Sequence, residues 1–77
     1  MRKKGVVTRF GANGYGFINE MATGKEWFAH VSDVVGHFAL MAGQHVEFEE
    51  HPRSQTDRLR AGLIEIILAP VAAQAGV

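Results

Sequence analysis

Two stretches decide the fold: Asn13-Gly14-Tyr15-Gly16-Phe17-Ile18 and Trp27-Phe28-Ala29-His30-Val31. Successive strand residues point to opposite faces. Tyr15 and Phe17 therefore share one face, with Gly14, Gly16 and Ile18 on the other. In the second stretch Phe28 and His30 share a face, and Trp27, Ala29 and Val31 share the opposite one. Ala22-Thr23-Gly24-Lys25 between them reads as a hairpin loop. If the two strands pair across it, Tyr15, Phe17, Phe28 and His30 form a patch of four rings. Large Trp27 beside small Ala29 balances in volume as a core pair, so Phe28 and His30 fall outside. Exposed rings in one patch call for a flat aromatic partner, and a nucleobase is one. Each base stack contributes about 1–3 kcal/mol. Gly14 and Gly16 leave the opposite face open for close packing.

The strand period continues outward from this pair. Gly5–Phe10 is β-branched and ends at the turn signal Gly11-Ala12-Asn13-Gly14. Ser32–Val35 reads as one tight helical turn capped by Ser32, and Gly36–Gly43 as a longer connection. Gln44–Glu50 alternates, with Val46 and Phe48 inward and Glu47 and Glu49 outward. His51–Asp57 is polar, opens with a proline and is expected to be a mobile loop. Arg58–Leu68 is the last strand. Five short strands, Gly-rich turns and no sustained helical period predict an all-β fold. The expected form is a five-stranded antiparallel OB-type barrel that is closed or partly closed, which removes edge strands. The domain is expected over 1–69, with a tail over 70–77.

Composition limits the function classes. At 77 residues the chain forms one small domain. It has no cysteine, so disulfides and thiolate metal sites are excluded. No apolar run is long enough for a signal peptide or a membrane span, and a cytoplasmic location is expected. The net charge is zero, yet the charges are segregated. Residues 1–31 hold five bases and two acids, 32–50 hold four acids and no Lys or Arg, and Arg53, Arg58 and Arg60 form a second basic group. The four histidines have no metal-ligand spacing, Gly14-Tyr15-Gly16 lacks a third glycine, and no Walker lysine is present. His30 with Ser32 and Asp33 offers no enclosed catalytic pocket in so short a chain. The expectation is a binding domain without catalysis, cofactor or metal.

At this point the chain resembles a known family. Asn13-Gly-Tyr-Gly-Phe-Ile18 is similar to the first RNA-binding motif of the cold-shock domain family, usually Lys-Gly-Phe-Gly-Phe-Ile. Trp27-Phe-Ala-His-Val31 with Ser32 resembles its second motif, usually Val-Phe-Val-His-Phe and a serine. Gly5–Phe10, Gly43-Gln-x-Val-x-Phe48 and Arg60-Ala61 resemble its other strands, so the resemblance covers about residues 5–65. It implies an OB barrel that binds single-stranded RNA or DNA, often as an RNA chaperone. It places Tyr15, Phe17, Phe28 and His30 on stacking positions and Phe38 near a further aromatic position. Arg9 stands where the family has an exposed tryptophan, and Thr8 and Asn13 stand where it has lysines. An arginine can stack on a base and also meet a phosphate. The candidate nucleic-acid-binding residues are thus Arg9, Asn13, Tyr15, Phe17, Phe28, His30, Phe38 and Arg60.

Two rival readings use the same residues. An RNA-recognition motif has similar hexamers, but in the reverse order and after a helix. An OB-type protein-interaction module would use the same aromatic patch as a hot spot, and the zero net charge favours it. The last strand raises a separate point. Its alternation runs from Leu59 to Leu63, and Ile64, Ile66, Ile67 and Leu68 then place apolar groups on both faces. A mostly monomeric chain is expected, with a weak or strand-exchanged dimer at higher concentration.

Overall fold

The computed structural model describes residues 2–68. The expected tail over 70–77 lies outside the described residues. The chain forms β1 (Lys3–Phe10), β2 (Tyr15–Glu20), β3 (Glu26–His30), a 3-10 turn (Val31–Asp33), β4 (His45–Glu50) and β5 (Ala61–Ile66). All strand pairs within the sheet are antiparallel, in the order β3-β2-β1-β4-β5. The sheet curls until its ends meet: Phe28 N–H donates to the Leu59 carbonyl at 2.9 Å, and Val35 N–H to the Ile64 carbonyl at 2.9 Å. The expected all-β, five-stranded OB barrel is the observed architecture, in its partly closed form.

The inward face is the one the alternation predicts. Val7, Ile18, Trp27, Ala29, Val46, Phe48, Ala61 and Ile64 are buried together, and Val34 and Leu40 close the core from the β3–β4 connection. The Trp27 and Phe48 rings meet at 5.3 Å. Ile18 and Glu20 share the inward face, so the Glu20 carboxylate is only 6% exposed. It accepts from the Trp27 indole N–H and from the Thr23 hydroxyl, both at 3.0 Å. A buried polar group without such partners would cost about 1–3 kcal/mol.

Two irregularities bend the sheet. In β1 the register passes from Val7↔Ile18 to Arg9↔Phe17, so Thr8 is the extra residue of a bulge. Its hydroxyl donates to the Phe17 carbonyl at 3.2 Å. At the same place β1 presses onto Gly16. A Cβ there would lie 2.1 Å from the Arg9 carbonyl oxygen and 2.6 Å from the Phe10 Cα. In β5 the register passes from Glu49↔Gly62 to Glu47↔Glu65. Leu63 takes a left-handed conformation at φ +46° and is 57% exposed. The expected alternation through Leu63 therefore breaks one residue early, because the bulge turns Leu63 out and resets Ile64 to the core.

Two further expectations are corrected. The helical turn is Val31–Asp33, and its cap is His30 rather than Ser32. The Ser32 N–H is itself the donor needing a partner, and His30 Nδ1 accepts it at 3.1 Å. The last strand, expected over 58–68, spans Ala61–Ile66, because Arg58 and Arg60 bond back onto the loop expected over 51–57. Ser54 N–H donates to the His51 carbonyl at 2.8 Å, Gln55 and Arg58 exchange backbone bonds at 3.1 and 2.9 Å, and Arg60 N–H donates to the Ser54 hydroxyl at 2.9 Å.

Gly16→Ala tests the crossing. Strand propensity alone favours alanine by about 0.5–1 kcal/mol. Contact with rigid backbone opposes it, and overpacking of this kind costs about 1–3 kcal/mol. The variant is expected to lose stability in urea unfolding followed by Trp27 emission, and an unchanged midpoint would mean that β1 and β2 have room there.

Candidate nucleic-acid interface

The aromatic face is assembled by the register of β2 and β3. The connecting turn is held by Glu20 N–H to the Lys25 carbonyl and Gly24 N–H to the Glu20 carbonyl, both 2.8 Å. That turn sets Tyr15 opposite His30 and Phe17 opposite Phe28. Phe28 is the centre of the patch. Its ring lies 5.6 Å from Tyr15, tilted by 34°, and 6.1 Å from Phe17, nearly edge-on at 74°. Tyr15 is 40% exposed, and Phe17, Phe28 and His30 are half-buried, so each ring keeps surface toward solvent. Burying such surface under a base removes apolar area from water without opening the core.

Arginines flank the rings on both sides. The Thr8 bulge carries Arg9 onto the outer face, and its guanidinium carbon lies 4.6 Å from the Phe17 centroid. Asn13 and Arg9 join Tyr15 and Phe17 around a groove of about 350 Å³. The turn under it is closed by Gly14 N–H to the Gly11 carbonyl at 3.1 Å, with Gly14 at φ +89°. On the other side the Arg60 guanidinium carbon is 5.9 Å from the Phe28 centroid. Arg60 Nε and Nη2 donate to Asp33 Oδ2 at 3.0 and 2.8 Å.

His30 has a defined role at the rim. Its Nδ1 accepts the Ser32 N–H at 3.1 Å and lies 2.8 Å from the Ser32 hydroxyl. This hydrogen-bond pattern assigns the neutral ring's proton to Nε2. Phe38 lies apart from the patch. It is 45% exposed, takes no part in the ring pairs of the face, and packs within its own connection, where a Cβ on Gly36 would meet its ring at 3.0 Å.

Sequence reasoning gathered seven of the eight candidates onto two adjoining grooves and the ring face between them, leaving Phe38 outside. It missed Arg53, Gln55 and Arg58, which line a second groove of about 530 Å³ with Phe17, Phe28 and Arg60. It also missed Asp33, which anchors Arg60 across 27 positions of chain. The basic cluster at 53–60 was visible as composition. Its return beside β3 depends on barrel closure, which no local pattern encodes.

Among the described residues no helix is long and apolar enough to cross a membrane. No curated protein matches the sequence significantly. Among solved structures, the Drosophila Unr CSD456 structure is similar in fold, with a TM-score of 0.70 at 23% identity over 88% of this chain. This chain spans 27% of that one's length. The family model described as the 'Cold-shock' DNA-binding domain matches residues 3–62, a span that takes in the ring face, both arginine flanks and every strand up to the start of β5. With both motifs on neighbouring strands of one curled sheet, the chain belongs to the cold-shock domain family of nucleic-acid-binding domains.

Proposed function

We propose that this domain binds single-stranded RNA or DNA by stacking bases on Tyr15, Phe17, Phe28 and His30, in the manner of an RNA chaperone and without catalysis. The observation that carries the reading is the ring face itself, centred on Phe28 and half-open to solvent. A duplex hides its base faces, so the same surface discriminates against paired strands. A binder of this kind holds strands open while leaving sequence largely unread. Arg9, Asn13 and Arg60 supply the polar contacts around the stack.

Alanine at Phe17 or Phe28 is expected to weaken binding by about 1–3 kcal/mol with the fold retained. Anisotropy of labelled oligo-dT reads this, with a duplex of equal length as control. Equal affinity for the duplex, or unfolding of either variant at room temperature, would count against the stacking reading.

Arg9 already covers one face of Phe17, so a base arriving there meets the guanidinium plane first. Arg9→Ala is expected to lose affinity, whereas Arg9→Trp keeps or raises it and lowers the salt dependence. Wild-type affinity in Arg9→Ala would reduce Arg9 to a solvated charge.

The end of β5 bears on assembly. Ile66 is 42% and Leu68 89% exposed. The chain is expected to be mostly monomeric, with a dimer fraction that grows over a hundredfold concentration range in light scattering. A constant monomer mass would remove the association.

A further inference from the structure

The groove between the ring face and the 51–60 segment has features that base stacking leaves unused. It is lined by Phe17, Phe28, Arg53, Gln55, Arg58 and Arg60. Arg53 and Arg58 have no ion-pair partner among the described residues, although Asp57 is their neighbour in sequence. Arg60 is held differently from these two. Its backbone N–H is bound to the Ser54 hydroxyl, its carbonyl accepts the His51 N–H at 2.9 Å, and Nε and Nη2 both bind Asp33 Oδ2. That leaves Nη1 as the unengaged end of the guanidinium fork.

Asp33 is the hub of this arrangement. Its side chain is 12% exposed and lies on the 3-10 turn after β3. Oδ2 binds Arg60, and Oδ1 lies 3.4 Å from His51 Nε2. His51 Nδ1 meanwhile accepts the Arg53 N–H at 3.0 Å, which leaves Nε2 to carry the neutral ring's proton toward Asp33. One carboxylate thereby joins the turn to both ends of the 51–60 segment. A long arginine side chain loses much rotamer entropy when it grips a ligand, and prior fixation removes part of that loss.

We propose that this groove anchors one backbone phosphate of the bound strand, with Arg60 as the gripping residue, Arg53 and Arg58 as supporting charges, and Asp33 as the positioning residue that fixes Arg60. The assignment rests on the stacking reading, because the phosphate it takes belongs to the nucleotide stacked at Phe28. Two unpaired guanidiniums and one fixed one converge beside a ring that accepts a base, and a nucleotide presents that combination of a flat apolar part and an anionic oxygen cluster. Asp33 is an acid inside a basic groove. Its value to an anionic ligand is geometric, since on charge alone it repels a phosphate.

The test is a salt titration of oligo-dT binding to wild type, Asp33→Asn, Asp33→Ala, Arg60→Ala and the Asp33→Ala/Arg60→Ala double variant. Each is compared below its own melting temperature, so that lost stability is not read as lost affinity. Arg60→Ala is expected to weaken binding about 3–10-fold and to lower the slope of log affinity against log salt by about 0.7, the value for one single-strand phosphate. Asp33→Ala is expected to do nearly the same and to add nothing in the Arg60→Ala background. Asp33→Asn, which keeps an acceptor for Arg60, is expected to restore most of the affinity. A methylphosphonate placed in turn at each linkage of the oligonucleotide should weaken wild type at one linkage and leave Arg60→Ala indifferent there. Tighter binding by Asp33→Ala would overturn the positioning role, as would additive losses in the double variant. Tight binding of a polyglutamate of equal charge would overturn the phosphate assignment in favour of an acidic peptide. If these variants match wild type while Phe28→Ala still weakens binding, the phosphate site fails and the stacking reading stands. If Phe28→Ala binds as wild type does, the stacking reading fails.

Discussion

The crossing of β1 over Gly16 is the constraint on which the rest of the molecule depends. Gly16 lies between the two outward rings of β2, and on its inward side there is space only for a hydrogen. That close approach lets β1 bend around the core while Tyr15 and Phe17 stay on the outer surface. The Thr8 bulge at the same point moves Arg9 to the ring face and turns Phe10 back toward the core. One glycine and one extra residue thus link barrel curvature to the composition of the ring face. A side chain at residue 16 would disturb the fold and the face together.

The outer surface has a consistent electrostatic layout despite zero net charge. On the flank of β4 and β5, Arg2 binds Glu47, Glu49 and Glu65 at 3.2–3.3 Å, which ties the acidic stretch to the start of the chain. Arg9, Arg53, Arg58 and Arg60 instead border the rings. The balance of charge over the chain therefore says little about the field at the site, which depends on where each group folds. Four arginines thus stand beside the rings, while Glu47, Glu49 and Glu65 of β4 and β5 are drawn to Arg2 on the other flank.

The ring face was legible in sequence because period-2 alternation with a volume-balanced Trp27–Ala29 pair leaves only one way to orient β3. Burial of Val46 and Phe48 followed from the same rule. What escaped were the places where the rule is interrupted. Strict alternation from Val7 would turn Arg9 inward; the family resemblance put Arg9 outside, but the bulge that takes it there has no mark in the sequence. Leu63 leaves the core because its backbone is left-handed, which a leucine does not advertise. The Asp33–Arg60 bond joins residues that meet only when the sheet curls shut. Phe38 entered the candidates by its place in a family pattern, and its ring lies over Gly36 of its own connection, away from the ring pairs. Trp27, the single tryptophan, is buried, so its emission reports on folding rather than on the ring face.

The most direct measurement of the central claim is an aromatic proton–carbon NMR titration with short oligo-dT. Base stacking should shift the ring signals of Tyr15, Phe17, Phe28 and His30 upfield, saturating together, while the core rings of Trp27 and Phe48 stay in place. Movement confined to Phe38 or to residues around Leu63, with those four rings unchanged, would contradict the account.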